Sequence, residues 1–371
     1  MERKKRILFF IDSLKSIGGA EQMFIDQANY FSEKGIDVFF ALSHAYPNPK
    51  DFSSKIRIHK KVAYFRFKTL HDIRSYLAFR RYIKIHKIDV LYSYLDYSNN
   101  IARMMKFFLP RLRVCIIEPG DPRRKTTKMR VFDWCMNFFT YKIFAMSGAV
   151  RDQLCAYLKV HSRKILAMRN GVHPMLTQGE VDEKYKKSDQ AVIQLLHVGN
   201  IRTENKGHRG MIDVMKYIKD HHSDVKVHLS FIGDGSLRKG FEDLVASYGL
   251  QDRVTFVGIV PHEEISLYYK KTDIFIFNSK TEGGAASIME ATSAGLPTVS
   301  SLFESAHEVV VDGVTGHLVP WGNIKKFAEH VTFLSLNFEK RSSMGYAAYD
   351  LYRERFIYDR LADGFISKLS L

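Results

Sequence analysis

The sequence predicts an α/β protein made of two doubly wound domains that face each other across a cleft. The chain has 371 residues, which is more than one ordinary domain needs. Short apolar runs alternate with helical stretches along both halves, a pattern typical of parallel sheets covered by helices. A charged stretch without apolar periodicity, 177–190, lies between the halves. We therefore predict two similar domains joined by a polar segment.

The first half begins with a strand, a helix and a second strand. The apolar run 6–11 precedes a glycine-containing loop and a helical stretch over 20–34, in which Phe24, Ala28 and Phe31 recur at helical spacing. A second apolar run follows at 36–42. The same alternation then predicts a helix around 71–87, a strand at 89–95, a helix around 98–108, and strands at 113–118 and 142–147.

The second half repeats this alternation more regularly. Predicted strands lie at 191–199, 225–235, 254–258, 273–279 and 297–301, and helical stretches lie between them. We accordingly predict a first domain over 1–172, a linker over 173–190, a second domain over 191–350 and a final helical segment over 351–371 that returns to the first domain. The cleft between two such domains is the natural place for a site.

The positive charge of the chain is concentrated in its first half. The whole chain carries a formal net charge of +16, whereas residues 1–170 hold 33 Lys and Arg against 14 Asp and Glu, a balance of +19. Such an excess indicates an anionic partner, although a merely solvated surface is the alternative. Within 74–87, 103–113 and 123–142 the bases alternate with large apolar residues, a mixture that suits a membrane-surface element.

The apolar runs set limits on how the chain meets a membrane. None of them approaches the roughly 18 to 20 residues that span a bilayer, and the run after the basic start MERKKR is too short for a signal peptide. We therefore expect a cytoplasmic protein that is peripheral on the inner face of the cell membrane.

One stretch of the second half, SKTEGGAASIMEATSAGLP (279–297), places Glu282 and Glu290 eight positions apart with small and apolar residues between them. It follows a predicted strand and leads into a helix that should begin near 285. Small residues at a helix N-terminus let backbone N–H groups approach an anion, which the helix dipole also favours. We expect a diphosphate on the backbone of Gly283, Gly284, Ala285, Ala286 and Ser287. The alternative is a tight turn with two solvent-exposed acids.

Two further loops complete this hypothesis. The stretch HVGNIRTENKGHRG (197–210) follows a predicted strand and offers Arg202 and Lys206 as cations for a diphosphate. In the first half, Gly18 and Gly19 lie between a strand and a helix and form a second loop of close approach. A helix N-terminus, two cations and a glycine loop can stabilise a leaving diphosphate without a metal. The chain also lacks D-x-D, HExxH, G-x-S-x-G and P-loop motifs.

A series of short motifs runs through nearly the whole chain, in the order GGAE (18–21), SGAV (147–150), NGV (170–172), VGN with KG (198–207), GDG (233–235), FVGIVP (256–261), the Glu282/Glu290 pair and EVVVDGVTGHLV (308–319). Their order and spacing resemble the retaining, GT-B fold glycosyltransferases of family 4, in particular those that build bacterial polysaccharides. The resemblance implies two Rossmann-like domains and the transfer of a sugar from a nucleotide donor.

The resemblance also implies roles for individual residues. Glu290 would hold the donor ribose, Glu282 would contact the transferred sugar and Lys206 would bind the diphosphate. Gly258 and Val260 would lie against the base, while the loop at Gly18 and Gly19 would close on the phosphates. No cofactor is implied beyond the nucleotide sugar itself, for which a UDP-sugar is expected first.

The chain departs from the family pattern at three places, one of which is the stretch SLFESAHE (301–308), where the usual glycine pair of the sugar pocket is absent. Asn200 stands where an arginine is usual six residues before the lysine, and Arg202 is the candidate substitute. In the first half the loop EPGDPRR (118–124) resembles that of polysaccharide-building members, so the acceptor contacts are sought among Glu118, Asp121, Arg123 and Arg124. We expect charge reversal at Arg123, Arg124 and Lys125 to raise the KM for the acceptor only.

The sequence therefore predicts a metal-independent, retaining glycosyltransferase that acts on a membrane-associated glycan such as a lipid-linked oligosaccharide, lipopolysaccharide or capsule precursor. Two alternatives stay open. A basic half with interleaved aromatics also suits glycosylation of nucleic acid, which we regard as the weaker hypothesis. A non-catalytic module that binds a sugar nucleotide would use the same donor site.

Overall fold

The computed structural model describes residues 4–14, 19–44, 55–58, 62–118, 120, 122, 125–158, 162–169, 171–186 and 191–369. By their internal contacts, the residues form two compact units. The first unit comprises Met1–Asn170 together with Asp359–Leu371, and the second comprises Gly171–Tyr358. Each unit is built on one sheet in which every described strand pairing is parallel. This agrees with the predicted fold class.

The first unit contains a seven-stranded sheet with the order β3-β2-β1-β4-β5-β6-β7. Its strands are nearly continuous apolar runs because helices cover both faces of the sheet. The strands are β1 (Arg6–Ile11), β2 (Asp37–Leu42), β3 (Ala63–Tyr64), β4 (Val90–Tyr94), β5 (Arg113–Glu118), β6 (Lys142–Ala145) and β7 (Ile165–Ala167).

The helices of the first unit form two layers. They are α1 (Gly19–Glu33), α2 (Ile73–Ile85), α3 (Asp96–Phe108), α4 (Thr127–Met136), α5 (Gly148–Leu158) and, from the end of the chain, α14 (Tyr358–Leu369). Alternating residues of β1 separate the layers. Phe10 packs with α2, α3 and α5 in one hydrophobic cluster, whereas the ring of Phe9 contacts Phe24 and Phe31 of α1. On the same side as α1, Phe144 contacts Phe365 of α14.

The second unit contains a six-stranded sheet with the order β10-β9-β8-β11-β12-β13. Its strands are β8 (Ile193–Val198), β9 (Val227–Ile232), β10 (Val254–Gly258), β11 (Ile274–Phe277), β12 (Thr298–Ser301) and β13 (Gly316–Val319). Its helices are α6 (Gln178–Tyr185), α7 (His208–His221), α8 (Arg238–Ser247), α9 (Ile265–Lys271), α10 (Ala286–Ser293), α11 (Ala306–Val309), α12 (Ile324–Leu336) and α13 (Phe338–Arg355).

The segment predicted as a linker differs from that prediction in its described part. Thr177 caps α6 through a capping box with Glu180, and Val181 is fully buried in the core of the second unit. The Tyr185 hydroxyl also donates a hydrogen bond to the Gly295 carbonyl at 2.6 Å. Only two apolar residues in this helix face the core, too few to produce a visible period. Residues 187–190 lie outside the described part of the chain.

The end of the chain also has different element boundaries from those predicted. The helix α13 continues to Arg355, beyond the predicted boundary at 350, and α14 begins at Tyr358. The residues from Asp359 onward belong to the first unit. Within the described residues, no helix combines the length and the hydropathy that crossing a bilayer would require.

Candidate functional site

The strand order of the second unit identifies one place for a ligand. Chain order runs outward in opposite directions from β8 and β11, which are neighbours in the sheet. Loops that leave the carboxyl ends of two such strands diverge and leave a crevice, where open α/β sheets bind their ligands. The loop after β8 contains Asn200, Arg202 and Lys206, and the loop after β11 contains Glu282 to Ala285. The sheet therefore brings the predicted donor loops together.

Backbone contacts fix these two loops against each other. Gly207 has a φ of +69°, and a Cβ there would lie 1.5 Å from the carbonyl oxygen of Asn278, so only glycine permits this approach. The backbone N–H of Lys280 donates to the Asn205 carbonyl at 2.8 Å, and the Ser279 hydroxyl donates to the same oxygen at 3.0 Å. The geometry of the site is thus set by main-chain packing.

Lys206 and Glu282 form an ion pair across the two loops. The Lys206 Nζ donates to Glu282 Oε1 at 2.6 Å, and the side chains remain 28% and 12% exposed. The two residues are 76 positions apart in the sequence. The structure therefore brings together the residues that sequence reasoning proposed for the diphosphate and for the transferred sugar.

The helix α10 begins directly beside this pair. Its N-cap, Ala285, has φ 47° and ψ 51°, a left-handed conformation that is strained for a residue with a side chain. Ala285 is buried, while Gly283, Gly284 and Ser287 are half-buried and Ala286 is exposed. The first N–H groups of a helix have no partner within the helix. The segment 283–287 is accessible, as an anion site requires.

Glu290 lies one turn further along α10 and is half-buried. Its Oε2 accepts a hydrogen bond from the hydroxyl of Tyr269 on α9 at 2.7 Å. Burial raises the pKa of the Glu290 carboxyl, and the hydrogen bond from Tyr269 partly offsets this shift. Among the described residues, hydrogen bonds to this carboxylate involve Oε2 alone, so Oε1 is available as an acceptor for a hydroxyl group.

Within the described part of the chain, no side-chain hydrogen bond or ion pair joins the remaining predicted donor residues of the second unit to Lys206 or Glu282. Asn200 and Arg202 are exposed, and the side-chain stem of Arg202 runs beside Gly235 in the turn after β9. Gly258 ends β10 with a φ of +88°, and its carbonyl accepts a hydrogen bond from the Gly233 N–H at 2.8 Å. Val260 packs on the core cluster that contains Tyr269.

Two buried histidines lie beneath the loop after β8. His197 and His208 are fully buried, and their rings meet edge to face with centroids 4.9 Å apart. His197 Nδ1 bonds to the Ile276 carbonyl at 3.2 Å. Burial and the nearby Lys206 lower the pKa of His208 to about 4, and burial and His208 lower the pKa of His197. Both rings are therefore neutral under ordinary conditions.

The first unit shows only part of its predicted site. Gly19 is the first residue of α1, and a Cβ there would meet open space. Gly18, Asp121, Arg123 and Arg124 lie outside the described residues. The predictions made for those four positions stay predictions.

Glu118, at the carboxyl end of β5, is buried within an ion-pair cluster. Lys125 Nζ donates to its two oxygens at 3.1 and 2.9 Å and to Asp133 of α4 at 2.8 Å. Arg103 of α3 donates to the other oxygen of Asp133 at 2.5 Å. Burial raises the pKa of Glu118 despite the attraction of Lys125. Burial disfavours charge on Lys125, yet Glu118 and Asp133 together raise its pKa.

This cluster corrects the expectation for Lys125. The sequence predicted a cation that faces the acceptor, but the Lys125 side chain is 11% exposed and pairs with the buried carboxylates of Glu118 and Asp133, and at 3.6 Å with the exposed carboxylate of Asp96. In this structure the carboxylate of Glu118 is likewise turned inward. The cluster joins the end of β5 to α3 and α4, so these residues support the loop after β5.

Sequence reasoning missed Tyr269, which the structure connects to the site. Tyr269 is one of two adjacent tyrosines, and its burial and its hydrogen bond to Glu290 distinguish it from Tyr268. A second missed residue, Asp12, follows β1 and accepts hydrogen bonds within the first unit from the backbone N–H of Ser98, at 2.7 Å, and from its hydroxyl. Nothing in the spacing of either residue gives a signal, because each pairing depends on the strand order.

Comparison with known sequences and structures identifies the class of protein. Residues 17–175 match the model of Glycosyltransferase Family 4, and residues 179–351 match that of Glycosyl transferases group 1. Together the matches extend over both units. The protein is a glycosyltransferase of the GT-B fold.

Individual relatives agree with this classification. An uncharacterised glycosyltransferase of Methanocaldococcus jannaschii is 23% identical over 96% of this chain and 95% of its own length. The amylovoran biosynthesis glycosyltransferase AmsK of Erwinia amylovora is 30% identical over 180 residues, which span 47% of this chain and only 42% of AmsK. The crystal structure of HepE from Anabaena, a complex with UDP, has a TM-score of 0.81 at 18% identity, covering 98% of this chain and 99% of HepE. That likeness concerns the fold.

Proposed function

We propose that the protein transfers a sugar from a nucleotide-diphosphate sugar, in the first instance a UDP-sugar, to a glycan acceptor. The observation that carries the proposal is the ion pair between Lys206 and Glu282 at 2.6 Å beside the start of α10. A cation and a helix N-terminus at one crevice form an anion site. The UDP bound in the related HepE structure supports a uridine nucleotide as the first candidate.

In this proposal the donor replaces the internal ion pair. The diphosphate takes Lys206 and the N–H groups of about Gly284 to Ser287, while the released Glu282 turns to the hydroxyls of the transferred sugar. The Oε1 atom of Glu290 accepts hydrogen bonds from the ribose hydroxyls. Gly258 and Val260 lie against the base. Arg202 brings a positive charge to the diphosphate and so takes the role of the arginine that is usual at the position of Asn200. Gly18 and Gly19 belong to the loop that closes on the phosphates.

We further propose that the reaction retains the anomeric configuration and needs no metal. The bond between the sugar C1 and the diphosphate oxygen breaks, and the acceptor hydroxyl forms its bond to C1 on the same face. The acceptor proton passes to the leaving diphosphate, whose developing charge Lys206 and the α10 backbone stabilise. The NMR anomeric signal of the product would test retention, and full activity in EDTA would test metal independence.

A thermal-shift screen tests the donor site directly. A ligand that binds only the folded protein stabilises it, by about 2.7 kcal/mol at a hundred times its Kd. We expect one of UDP-, GDP-, ADP- or dTDP-sugars to raise the melting temperature and Glu290→Gln to weaken that shift. Lys239→Met, which changes an exposed lysine on α8, is the matched surface control. A screen with no stabilising nucleotide sugar would refute the proposed donor site.

The acceptor proposed is a membrane-associated glycan, such as a lipid-linked oligosaccharide, lipopolysaccharide or capsule precursor, at the inner face of the cell membrane. The balance of +19 over residues 1–170 supports an anionic surface, and the similarity to AmsK, a glycosyltransferase of amylovoran biosynthesis, supports a polysaccharide pathway. Arg123 and Arg124, with Asp121, are the proposed acceptor contacts. Charge reversal at Arg123 and Arg124 should raise the acceptor KM and leave donor affinity unchanged.

Two other functions remain as outcomes of these tests. If DNA or RNA is the acceptor, binding should weaken steeply with salt, and a glycan acceptor should not be glycosylated. If the protein is a binding module, the nucleotide sugar should raise its melting temperature, and neither transfer nor slow hydrolysis should occur with any acceptor.

A further inference from the structure

Exposed apolar side chains in the first unit are concentrated on one layer of helices. Among its described residues, eleven large apolar side chains are exposed, and nine of these lie on α2 to α5 or in the short 3₁₀ turn after α4. The helices α1 and α14, on the opposite face of the sheet, carry none. The nine are Ile73, Leu77, Ile85, Phe107, Met129, Val131, Trp134, Phe138 and Tyr157. We call the helices α2 to α5 with this turn the outer layer.

Charge divides between the same two faces. The helices α2 to α5 contain nine Lys and Arg residues against three Asp residues. The helices α1 and α14 contain two Lys and Arg residues against five Asp and Glu residues. The outer layer is therefore both the cationic and the apolar face, and the opposite face is acidic. Two independent properties thus distinguish the same surface.

The centre of the outer layer combines aromatic rings with cations. Trp134 is 49% exposed and Phe138 is 75% exposed, and their rings meet edge to face at 6.2 Å. Asp133, the sole acid of α4, is buried in the cluster with Arg103 and Lys125. The outward side of α4 therefore carries no negative charge.

The cations at this centre are held by neutral groups. Lys164 Nζ donates to the carbonyl of Asn137 in the turn at 3.1 Å, and the guanidinium of Arg130 on α4 lies 5.7 Å from the ring of Tyr157 on α5. Lys128 of α4 is exposed. Within the described chain no carboxylate forms an ion pair with these three cations. Their charge is therefore available to an anionic partner.

We propose that the outer layer is the surface by which the first unit docks on an anionic lipid bilayer, with Trp134 and Phe138 inserted at the level of the headgroups. Aromatic rings at an interface combined with Lys and Arg that meet lipid phosphates are the features that such surfaces share. Protein interfaces are depleted of Lys, and sequence-neutral nucleic-acid binding needs a charged groove rather than protruding aliphatic side chains. The proposal deepens the membrane-associated acceptor proposed above and rests on it.

Tryptophan fluorescence tests this docking face directly, because the chain contains two tryptophans, Trp134 and Trp321. The variant Trp321→Phe leaves Trp134 as the reporter, and Trp134→Phe leaves Trp321 in the second unit. With vesicles of phosphatidylcholine and phosphatidylglycerol, we expect Trp134 emission to move to shorter wavelength and to be quenched by brominated lipid. Trp321 emission should stay unchanged. Vesicles of phosphatidylcholine alone should bind much less protein.

A variant series measures the contribution of the rings. Removing one inserted aromatic ring costs about 1.5–3 kcal/mol, so Phe138→Ser should lower vesicle partitioning at least about ten-fold. Leu336→Ser, at a residue of α12 in the second unit that is 64% exposed, should leave partitioning unchanged. Equal loss in both variants, or no loss in Phe138→Ser, would overturn the docking face.

Other partners give different results in the same assay. If Trp134 emission shifts with protein concentration in the absence of vesicles, the surface belongs to a second copy of the chain and the proposal is wrong. A shift caused by a DNA or RNA oligonucleotide would equally overturn it. The thermal shift with nucleotide sugars is measured in parallel. A donor shift without vesicle binding refutes the docking face alone, whereas vesicle binding without a donor shift refutes the proposed transferase site alone.

Discussion

The two units carry charged residues at the carboxyl edges of similar parallel sheets, but they use these charges differently. In the second unit, Lys206 and Glu282 keep 28% and 12% of their side chains exposed. In the first unit, Lys125 and Glu118 are 11% and 3% exposed, and Asp133 and Arg103 are more than nine-tenths buried. If a ligand is to replace one partner of an ion pair, as proposed for Lys206 and Glu282, the pair has to be accessible from solvent. A buried cluster instead affects stability, because removing any one of its charges leaves another charge buried without compensation.

The largest expected effect tests the reachable pair. Lys206→Met should lower kcat/KM about 10³-fold, because it removes a cation from the charge that develops on the leaving diphosphate. The fold should be retained, since the loop is held by backbone contacts at Gly207 and Asn205. The measurement is steady-state kinetics with the donor identified by thermal shift. Lys239→Met should be as active as the wild type, and a loss below ten-fold in Lys206→Met would contradict the assignment.

The buried cluster should respond through stability. Lys125→Met leaves Glu118 and Asp133 with one cation fewer and should lower the free energy of unfolding by about 3 kcal/mol. Urea unfolding measures this change, and Lys128→Met, at an exposed position three residues further on in α4, should change it little.

This destabilisation should also depend on pH. Burial holds the pKa of Glu118 above its unfolded value, so proton uptake favours the folded state at low pH and this contribution is lost as the pH rises through the folded pKa. Lys125→Met should therefore be less destabilised near pH 5 than near pH 8. An equal loss of stability at the two pH values would contradict an ionised cluster.

A smaller effect tests how Glu290 is positioned. Tyr269→Phe removes the hydrogen bond to Oε2 and should lower the preference for UDP over 2′-deoxy-UDP about ten-fold, since one charged hydrogen bond is worth about 1.5 kcal/mol. Calorimetric titration of UDP and 2′-deoxy-UDP measures the preference. GDP and ADP, each with its 2′-deoxy form, are titrated in parallel. Tyr268→Phe is the matched control. A structural defect would weaken the binding of both nucleotides equally, and that result would exclude a positioning role for Tyr269.

The smallest effect concerns the neutral histidines of the second unit. The folded pKa of His208 is about 4 and the unfolded pKa is about 6.5, so its stabilising contribution is present above 6.5 and is lost as the pH falls toward 4. Between about pH 7.5 and 5.5 this loss is about 1 kcal/mol, and His208→Phe should remove it. The exposed His221→Phe on the same helix should not. Unfolding at the two pH values measures the difference, and an unchanged pH dependence in His208→Phe would contradict a neutral buried ring.

Much of the fold could be predicted because buried parallel strands are short apolar runs. The start of α10 was expected near 285 and lies at Ala286. The helix α6 was missed because its contact with the core depends mainly on Val181 and Tyr185, which are too few to show periodicity. The one signal for its start in the sequence was the spacing of its capping box, Thr177 followed by Glu180 three residues later.

The site was predictable to the extent that it follows strand ends. Each of Lys206 and Glu282 could be placed after a strand, but their contact depends on β8 and β11 being neighbours, which the strand order decides. For Glu118 the residue type was noticed and its burial was not. Burial there depends on Lys125, Asp133 and Arg103 converging from three elements, and spacing in the sequence does not reveal such a convergence.

The ion pair between Lys206 and Glu282 has a consequence for the empty enzyme. Because the lysine already holds a counterion, chloride or a single phosphate must compete with a carboxylate 2.6 Å away before it can occupy the crevice. A ligand that supplies a diphosphate for Lys206 and sugar hydroxyls for Glu282 satisfies both partners at once. If the proposed donor binding is correct, the two side chains can neutralise each other again after the spent nucleotide departs, and each turnover begins from a site that common cellular anions occupy less readily.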